Sequence, residues 1–279
     1  MKRDTRKSIA DETVAILKHG EYRSPSGRAV SLKKSLAETW KGTVCYSPRE
    51  LTELIEAQMA SDPAGPSATV TVRNQTTLEA ARELLADGSD RVVCLNFASA
   101  KNPGGGFLGG AEAQEEAICR PSALYASLLK ERDTYYRANR LGRNALYTDH
   151  LIYSPGVAVF RDEADGSLLE EFWHSSFVTA PAPNRGAIEQ NSPELVPEIE
   201  RVFRNRIRGV LAAMAAHRHR HVVLGAWGCG VFRNDPTKVA RWFRETLLDE
   251  GWASKFDQVR FGVLDRRGLG IFRSFEGAF

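Results

Sequence analysis

Two neighbouring carboxylates, Glu115 and Glu116, follow a run of five glycines in seven residues, Gly104 to Gly106 with Gly109 and Gly110, in the segment NPGGGFLGGAEAQEE. At the start of a helix such a pair meets a dipole that favours negative charge, and successive residues turn by about 100°, so the two carboxyls point in different directions. They cannot share one task. One is suited to accept hydrogen bonds from ribose hydroxyls, and the other can protonate a glycosidic oxygen if its surroundings raise its pKa. Glutamates at helix starts most often serve helix stability alone. The adjoining triple glycine is what gives this pair a chemical reading.

That glycine loop follows the apolar run RVVCLNF, and a second loop, Gly225-Ala226-Trp227-Gly228-Cys229-Gly230-Val231-Phe232, follows HVVL. Glycine lets the backbone approach a ligand closely, and successive free amides ahead of a helix make an anion cradle. Two such loops, each after a strand, point to a diphosphate held from both sides. Gly104, Gly106 and Gly109 satisfy the spacing G-x-G-x-x-G, but the match begins several residues past the strand and lacks a suitably placed ribose-binding acid. Neither loop continues into Gly-Lys-Ser/Thr, which excludes a P-loop.

The elements that must position these loops alternate. ATVTVRN reads as a strand, Thr76-Thr77-Leu78-Glu79 caps a helix running to about Leu85, and Asp87-Gly88 turns the chain into RVVCLNF. A helix from roughly Glu112 to Lys130 is expected next, then extended runs in ALYTDHLIYSPGVAVFRD and a hairpin at Asp165-Gly166. A long helix over about Glu198 to His217 carries Ile199, Val202, Phe203, Val210, Leu211 and Met214 on one stripe, and the strands HVVLGA and QVRFGVLD follow. Strands alternating with helices predict an α/β layered domain with a mixed sheet and ligand sites past the strand C-termini. Ahead of it, residues 1–66 read as a mainly helical extension with a hairpin in YRSPSGRAVSL and a capping box at Ser47-Pro48-Arg49-Glu50. The proline-rich SDPAGPSA, residues 61–68, links it to the domain of residues 67–279.

Composition narrows the partners. With 38 basic and 35 acidic residues the 279-residue chain has a net charge of only +3, so no global basic field drives nucleic-acid binding. Cys45, Cys94, Cys119 and Cys229 form no C-x-x-C pair, consistent with reduced thiols. No signal peptide or membrane-spanning run is apparent, and a cytoplasmic location is expected.

Gly-Gly-Gly, seven residues, then Gln-Glu-Glu resembles the signature of the bacterial-type poly(ADP-ribose) glycohydrolases of the macrodomain superfamily. LGAWGCGVF is similar to that family's second phosphate loop, and PGVAVFRD and NQTTLEAA also have its look. The resemblance runs from about Gln75 to the C-terminus, and the first sixty or so residues resemble the extension this branch carries. It implies a macrodomain-like three-layer α/β/α mixed sheet that binds the terminal ADP-ribose of a poly(ADP-ribose) chain and hydrolyses the ribose–ribose O-glycosidic bond, mainly from the chain end, with poly(ADP-ribosyl)ated proteins as substrates. By the motif, Glu116 would be the acid/base, Glu115 would hold ribose hydroxyls and Gln114 would order the turn. Gly104 to Gly106 and the loop of Gly225, Ala226, Trp227, Gly228, Cys229, Gly230, Val231 and Phe232 would wrap the diphosphate. Ser99 or Asn102 would contact the distal ribose, Trp227 or Phe232 would supply a ring beside it, and Phe272 is a candidate for stacking on adenine. No metal or cofactor is implied. The competing readings are a macrodomain that binds ADP-ribose without cleaving it and a hydrolase of mono-ADP-ribosylated targets.

Other residues have plainer explanations. In His217-Arg218-His219-Arg220-His221 alternate residues do not share a helix face, which argues against a metal site. Cys119 has no partner histidine nearby in sequence for nucleophilic catalysis. Arg201, Arg204, Arg206 and Arg208 read as a solvated face that can also touch a polyanionic chain.

Overall fold

The structure, a computed structural model, describes residues 1–62, 65 and 67–279; Pro63, Ala64 and Pro66 of the linker lie outside the described residues. Its first part comprises α1 (Arg3–His19), the hairpin β1 (Glu21–Arg23) and β2 (Ala29–Ser31), α2 (Lys33–Gly42), β3 (Val44–Tyr46) and α3 (Pro48–Ala60). Then come β4 (Thr69–Arg73), α4 (Thr77–Ala86), β5 (Val92–Phe97), α5 (Gln114–Cys119), α6 (Leu124–Lys130) and α7 (Arg137–Leu141). The chain finishes with β6 (Leu151–Arg161), β7 (Leu168–Ala180), α8 (Arg185–Asn191), α9 (Glu198–Ala216), β8 (His221–Leu224), α10 (Pro236–Arg244), β9 (Gln258–Gly262) and α11 (Ile271–Glu276).

Seven strands form one mixed sheet in the order β3-β6-β7-β5-β8-β9-β4. The pairs from β7 to β4 are parallel, while β3 and β6 add antiparallel strands at one side. Alternation along the central strands sends side chains to two cores. Val93, Leu95, Val222 and Leu224 face a layer that includes α3, α9 and α10, while Val92, Cys94 and Val223 face α1, α4 and α6. This is the three-layer α/β/α arrangement expected of the sequence, and the parallel strand ends open on one edge where loops meet.

The local signals that formed these elements are visible at their ends. Ser47 and Thr76 each accept from the backbone amide three residues on while Glu50 and Glu79 bond back, completing both capping boxes. The expected helix from Glu112 to Lys130 is two helices instead: α5 ends at Cys119 and α6 starts at Leu124. Pro121 between them has no amide hydrogen to continue the helix.

The N-terminal segment is part of the same sheet. β3 pairs with β6, and α3 packs on α9 through Leu51, whose methyls lie 3.7 and 3.8 Å from where a Cβ at Gly209 would sit. α1 reaches the other way, onto the glycine loop. Arg3 Nε donates to the Gly109 carbonyl at 3.0 Å and Arg6 Nε to the Gly110 carbonyl at 2.8 Å. Arg6 Nη1 also pairs with Glu112 at 2.8 Å, and Thr13 Oγ1 donates to the Arg120 carbonyl at 2.6 Å. One helix thus holds the chain on both sides of Gln114-Glu115-Glu116.

Candidate active site

The first loop leaves β5 at Phe97 and folds on itself. Gly105 N donates to the Asn102 carbonyl at 3.0 Å and Phe107 N to the Gly104 carbonyl at 3.2 Å. Phe107 is buried edge-on against Tyr125, with ring centroids 4.7 Å apart, which anchors the turn in the core. Gln114 ties the loop to the sheet: its Oε1 accepts from Phe97 N at 2.8 Å, and its Nε2 donates to the Leu95 carbonyl at 2.8 Å and to Thr77 Oγ1 at 3.0 Å. β5, α4 and α5 are therefore locked together by one amide side chain.

The two carboxylates hang from this frame in different directions, as successive helix positions require. Glu115 turns inward, its Oε2 accepting from Ser99 N at 2.7 Å and its Oε1 from Asn96 Nδ2 at 3.3 Å. Glu116 turns to the glycines: Oε1 accepts from Gly106 N at 2.9 Å and Oε2 from Ala113 N at 3.0 Å, which caps α5 from within. Both meet at Gly105. A Cβ there would overlap Glu116 Oε1 and lie 3.1 Å from Glu115 Oε2, on a backbone whose φ is +60°. Only glycine satisfies the conformation and the close approach together.

Burial raises the Glu115 carboxyl to about 8; the charge of Glu116 adds to the rise, and the hydrogen bonds from Ser99 and Asn96 oppose it. Glu115 therefore keeps its proton into the neutral range, directly beside the carboxyl of Glu116.

The second loop closes the far side. Gly225 sits where β8, β9 and Phe97 converge: a Cβ there would lie 2.6 Å from the Gly262 carbonyl oxygen and 2.9 Å from Phe97 Cζ. Asn234 braces the loop, donating to the carbonyls of Pro183 at 2.8 Å and Gly228 at 3.0 Å. Among the described residues no protein acceptor takes the amides of Gly228, Gly230, Val231 or Phe232, and all four residues line a cavity of about 420 Å³. Free amides along such a wall are suited to an anion.

Three groups of residues line that cavity. The second loop forms one wall, Ala113, Gln114 and Ala117 at the start of α5 form another, and the third joins Gln75 to Thr77 with Val263, Leu264 and Glu163. Glu115 and Glu116 lie beside it, next to Gly105 and Gly106 rather than on its walls, and Glu116 is bonded to wall residue Ala113.

Among the residues singled out from sequence, Glu115, Glu116, Gln114, Ser99 and the triple glycine converge. Ser99 contributes its amide to Glu115 and its hydroxyl accepts from Asn102 N at 3.1 Å, whereas Asn102 is itself exposed. Trp227 is corrected as a ring beside ribose. Its indole is fully buried against Phe203, at a centroid distance of 5.1 Å, and donates to the Ala180 carbonyl, so the ring is held in the core behind the cavity wall. Phe232 is the half-buried ring of that loop on the cavity. Cys229 is buried, its thiol pushed up by burial, and its Sγ lies 3.7 Å from the Trp227 carbonyl. Phe272, half-buried against the core, stands next to Ile271 of the cavity wall.

The structure adds Phe97, Gln75, Thr76, Glu163 and Arg120 to the cavity. Phe97 was the last residue of a recognised strand, and Thr76 a recognised helix cap, so position was legible while role was not. The arginine stripe on α9 is neutralised within the fold. Arg201 pairs with Glu198, Arg204 with Glu200 and Glu245, Arg208 with Glu250, and Arg206 is buried on Asp149. His217 stacks on Tyr153 at 3.5 Å and His219 bonds the Tyr153 hydroxyl at 2.8 Å, and among the described residues no cluster of histidine, cysteine and carboxylate side chains could hold a metal.

Residues 10–162 match the family described as microbial-type PARG, catalytic domain. Among solved structures, poly(ADP-ribose) glycohydrolase from Thermomonospora curvata is 48% identical with a TM-score of 0.93, covering 99% of this chain and 100% of that one. The same protein bound to the inhibitor ADP-HPD gives 48% identity and a TM-score of 0.91 over 99% of this chain and 100% of that one. Poly(ADP-ribose) glycohydrolase from Deinococcus radiodurans in complex with ADP-ribose is 46% identical with a TM-score of 0.80, covering 87% of this chain and 96% of that one. No curated protein matches the chain.

Proposed function

The chain belongs to the microbial-type poly(ADP-ribose) glycohydrolase family, and from that premise we propose how its residues hydrolyse the ribose–ribose O-glycosidic bond of poly(ADP-ribose), mainly from the chain end, to release ADP-ribose. The terminal diphosphate lies along the free amides of Gly228, Gly230, Val231 and Phe232. Glu115 accepts hydrogen bonds from ribose hydroxyls. Glu116 gives its proton to the leaving ribose oxygen as the bond to the anomeric carbon breaks, and the positive charge that develops on the sugar is stabilised by the substrate's own phosphates. The resulting carboxylate takes a proton from the water that attacks that carbon, which restores the acid. Gln114 holds the turn, and Phe232 lies against the sugar.

The observation that carries this reading is the meeting of the two carboxyls at Gly105, beside a cavity with an amide-lined wall. Each oxygen of Glu116 accepts one backbone amide and keeps a second lone pair for the reacting groups. Poly(ADP-ribosyl)ated proteins are the natural carriers of such chains and belong to this proposal as substrates. So does a cytoplasmic location, supported by four free cysteines and by the absence, among the described residues, of any helix long and apolar enough to cross a membrane.

Glu116→Gln tests the assignment. The amide keeps the side-chain shape and cannot supply the proton, so ADP-ribose affinity is retained while turnover of labelled polymer falls about 10²–10⁴-fold. Equal loss of affinity and turnover would remove Glu116 from the acid/base role. Retention of polymer without cleavage by the unmodified protein would favour a binding module instead.

A further inference from the structure

The first glycine loop is flanked differently on its two sides. α1 holds its later half, through Arg3 on the Gly109 carbonyl and Arg6 on the Gly110 carbonyl and Glu112. Its earlier half, at Lys101 and Asn102, is exposed and borders α7. There Arg140 Nη1 donates to the Lys101 carbonyl at 2.8 Å and Nη2 to the Arg132 carbonyl at 3.3 Å, which fixes a guanidinium beside the loop. A polymer leading away from the carboxyl of Glu116 thus has α1 on one side and this border on the other.

The border is basic, and its charge is not neutralised within the fold. Lys101, Arg132, Arg137, Arg140 and Arg143 are all exposed, and among the described residues none of them forms an ion pair, although Asp133 stands in the same segment. Other surface arginines behave differently: Arg201, Arg204 and Arg208 of α9 and Arg185 of α8 each meet a glutamate. Beyond α7 the strip continues to the second loop. The Tyr147 and Phe232 rings lie 6.2 Å apart, Asn184 N donates to the Ala145 carbonyl at 2.9 Å, and Gly186 N to the Phe232 carbonyl at 3.1 Å. Arg233, exposed and also without an ion pair among the described residues, ends the strip against Gly186.

Unpaired cations in a row attract a polyanion, and the place of this row says which part of one. The scissile oxygen belongs to a ribose whose 5′ carbon carries the next diphosphate, so fresh negative charge follows one sugar beyond Glu116. The terminal diphosphate is already served by the amides of the second loop inside the cavity. On the reading of the chain as a poly(ADP-ribose) glycohydrolase, on which this inference rests, we propose that Lys101, Arg140, Arg143 and Arg233 form a second anion subsite. It holds the diphosphate of the penultimate ADP-ribose unit where the polymer leaves between the two loops. Its grip is electrostatic and at the surface, so it favours polymer over single ADP-ribose units and weakens with salt.

The test compares two ligands in one protein. Glu116→Gln, which leaves the polymer uncut, is titrated with ADP-ribose and with a defined oligomer of three ADP-ribose units. The oligomer binds about tenfold more tightly at about 50 mM salt, and counterion release from one diphosphate shrinks that advantage about five- to tenfold by about 200 mM, while ADP-ribose binding changes little. Adding Lys101→Gln with Arg143→Gln, two exposed side chains that hold no hydrogen bond among the described residues, removes most of the oligomer's advantage and leaves ADP-ribose affinity and the melting curve as they were. The same change at Lys34 and Lys41, exposed on α2, leaves the advantage intact. Equal affinity for the two ligands at low salt would overturn the proposal and leave the glycohydrolase reading standing. So would an advantage that survives Lys101→Gln with Arg143→Gln, or one lost equally in the α2 variant, which would assign it to overall charge. Failure to bind either ligand defeats both readings.

Discussion

Gly105→Ala isolates the contact on which the catalytic arrangement depends. The new methyl would overlap Glu116 Oε1 and come within 3.0 Å of its carboxyl carbon and 3.1 Å of Glu115 Oε2, so a carboxyl must yield. Glu116 is held by Gly106 N and Ala113 N and Glu115 by Ser99 N, so neither moves without breaking a backbone bond. A displacement of about 1 Å at a reacting group costs about 10²-fold in rate. The backbone effect is smaller: alanine at a φ of +60° is disfavoured by about 1–2 kcal/mol, a fall in Tm of a few degrees for a chain this long. The assay is release of ADP-ribose from labelled polymer at saturation, run beside a melting curve. Gly109→Ala is the control, since a Cβ at that position meets nothing within 4 Å, and it leaves the rate unchanged. Wild-type turnover by Gly105→Ala would refute the claim that both carboxyls work at this point. An equal loss in Gly109→Ala would show that the loop as a whole had been disturbed.

Further outcomes follow from the same geometry. Glu115 has a folded pKa of about 8, above its unfolded value, so its stabilising contribution is complete below the unfolded pKa of about 4.3 and is lost as pH rises through about 8. Glu115→Gln removes that loss, so chemical denaturation finds its stability relative to wild type higher at pH 9 than at pH 4, and Asn96 Oδ1, buried without a partner, is available to the new amide after a flip. His219 runs the other way: burial, with the Arg91 charge assisting, lowers it to about 4. Its contribution is present above the unfolded pKa of about 6.5 and is lost as pH falls through about 4, so melting curves show a loss of stability across that interval that His219→Gln diminishes. Arg6→Ala removes the bonds to Gly110 and Glu112. We expect ADP-ribose affinity within about threefold of wild type with turnover reduced at least about tenfold, measured by titration and polymer release; equal losses in both would make α1 a general support and not a brace of the loop.

Much of this molecule was legible before any coordinates. Capping boxes at Ser47 and Thr76 and the alternating apolar runs in β5 and β8 depend on residues a few positions apart, and they located the elements. The signature Gly-Gly-Gly to Gln-Glu-Glu is just as local, which is why the carboxylates and their loop were found together. The same local logic extended a helix through Pro121, where the missing amide hydrogen divides it into two.

What tertiary structure alone decided is which side chain faces what. Trp227 and Phe232 stand in the same loop, yet the fit of the indole against Phe203 and the Ala180 carbonyl sends one ring to the core and leaves the other at the cavity. β3 joins a sheet edge more than a hundred residues away in sequence, and α1 reaches a loop of similar separation through three arginine contacts. Glu163 carries no motif, and only the hairpin's docking on α1 brings it to Thr76. Dihedral preferences and helix caps are settled by neighbours along the chain, whereas burial and pairing between distant residues exist only once the sheet has brought them together.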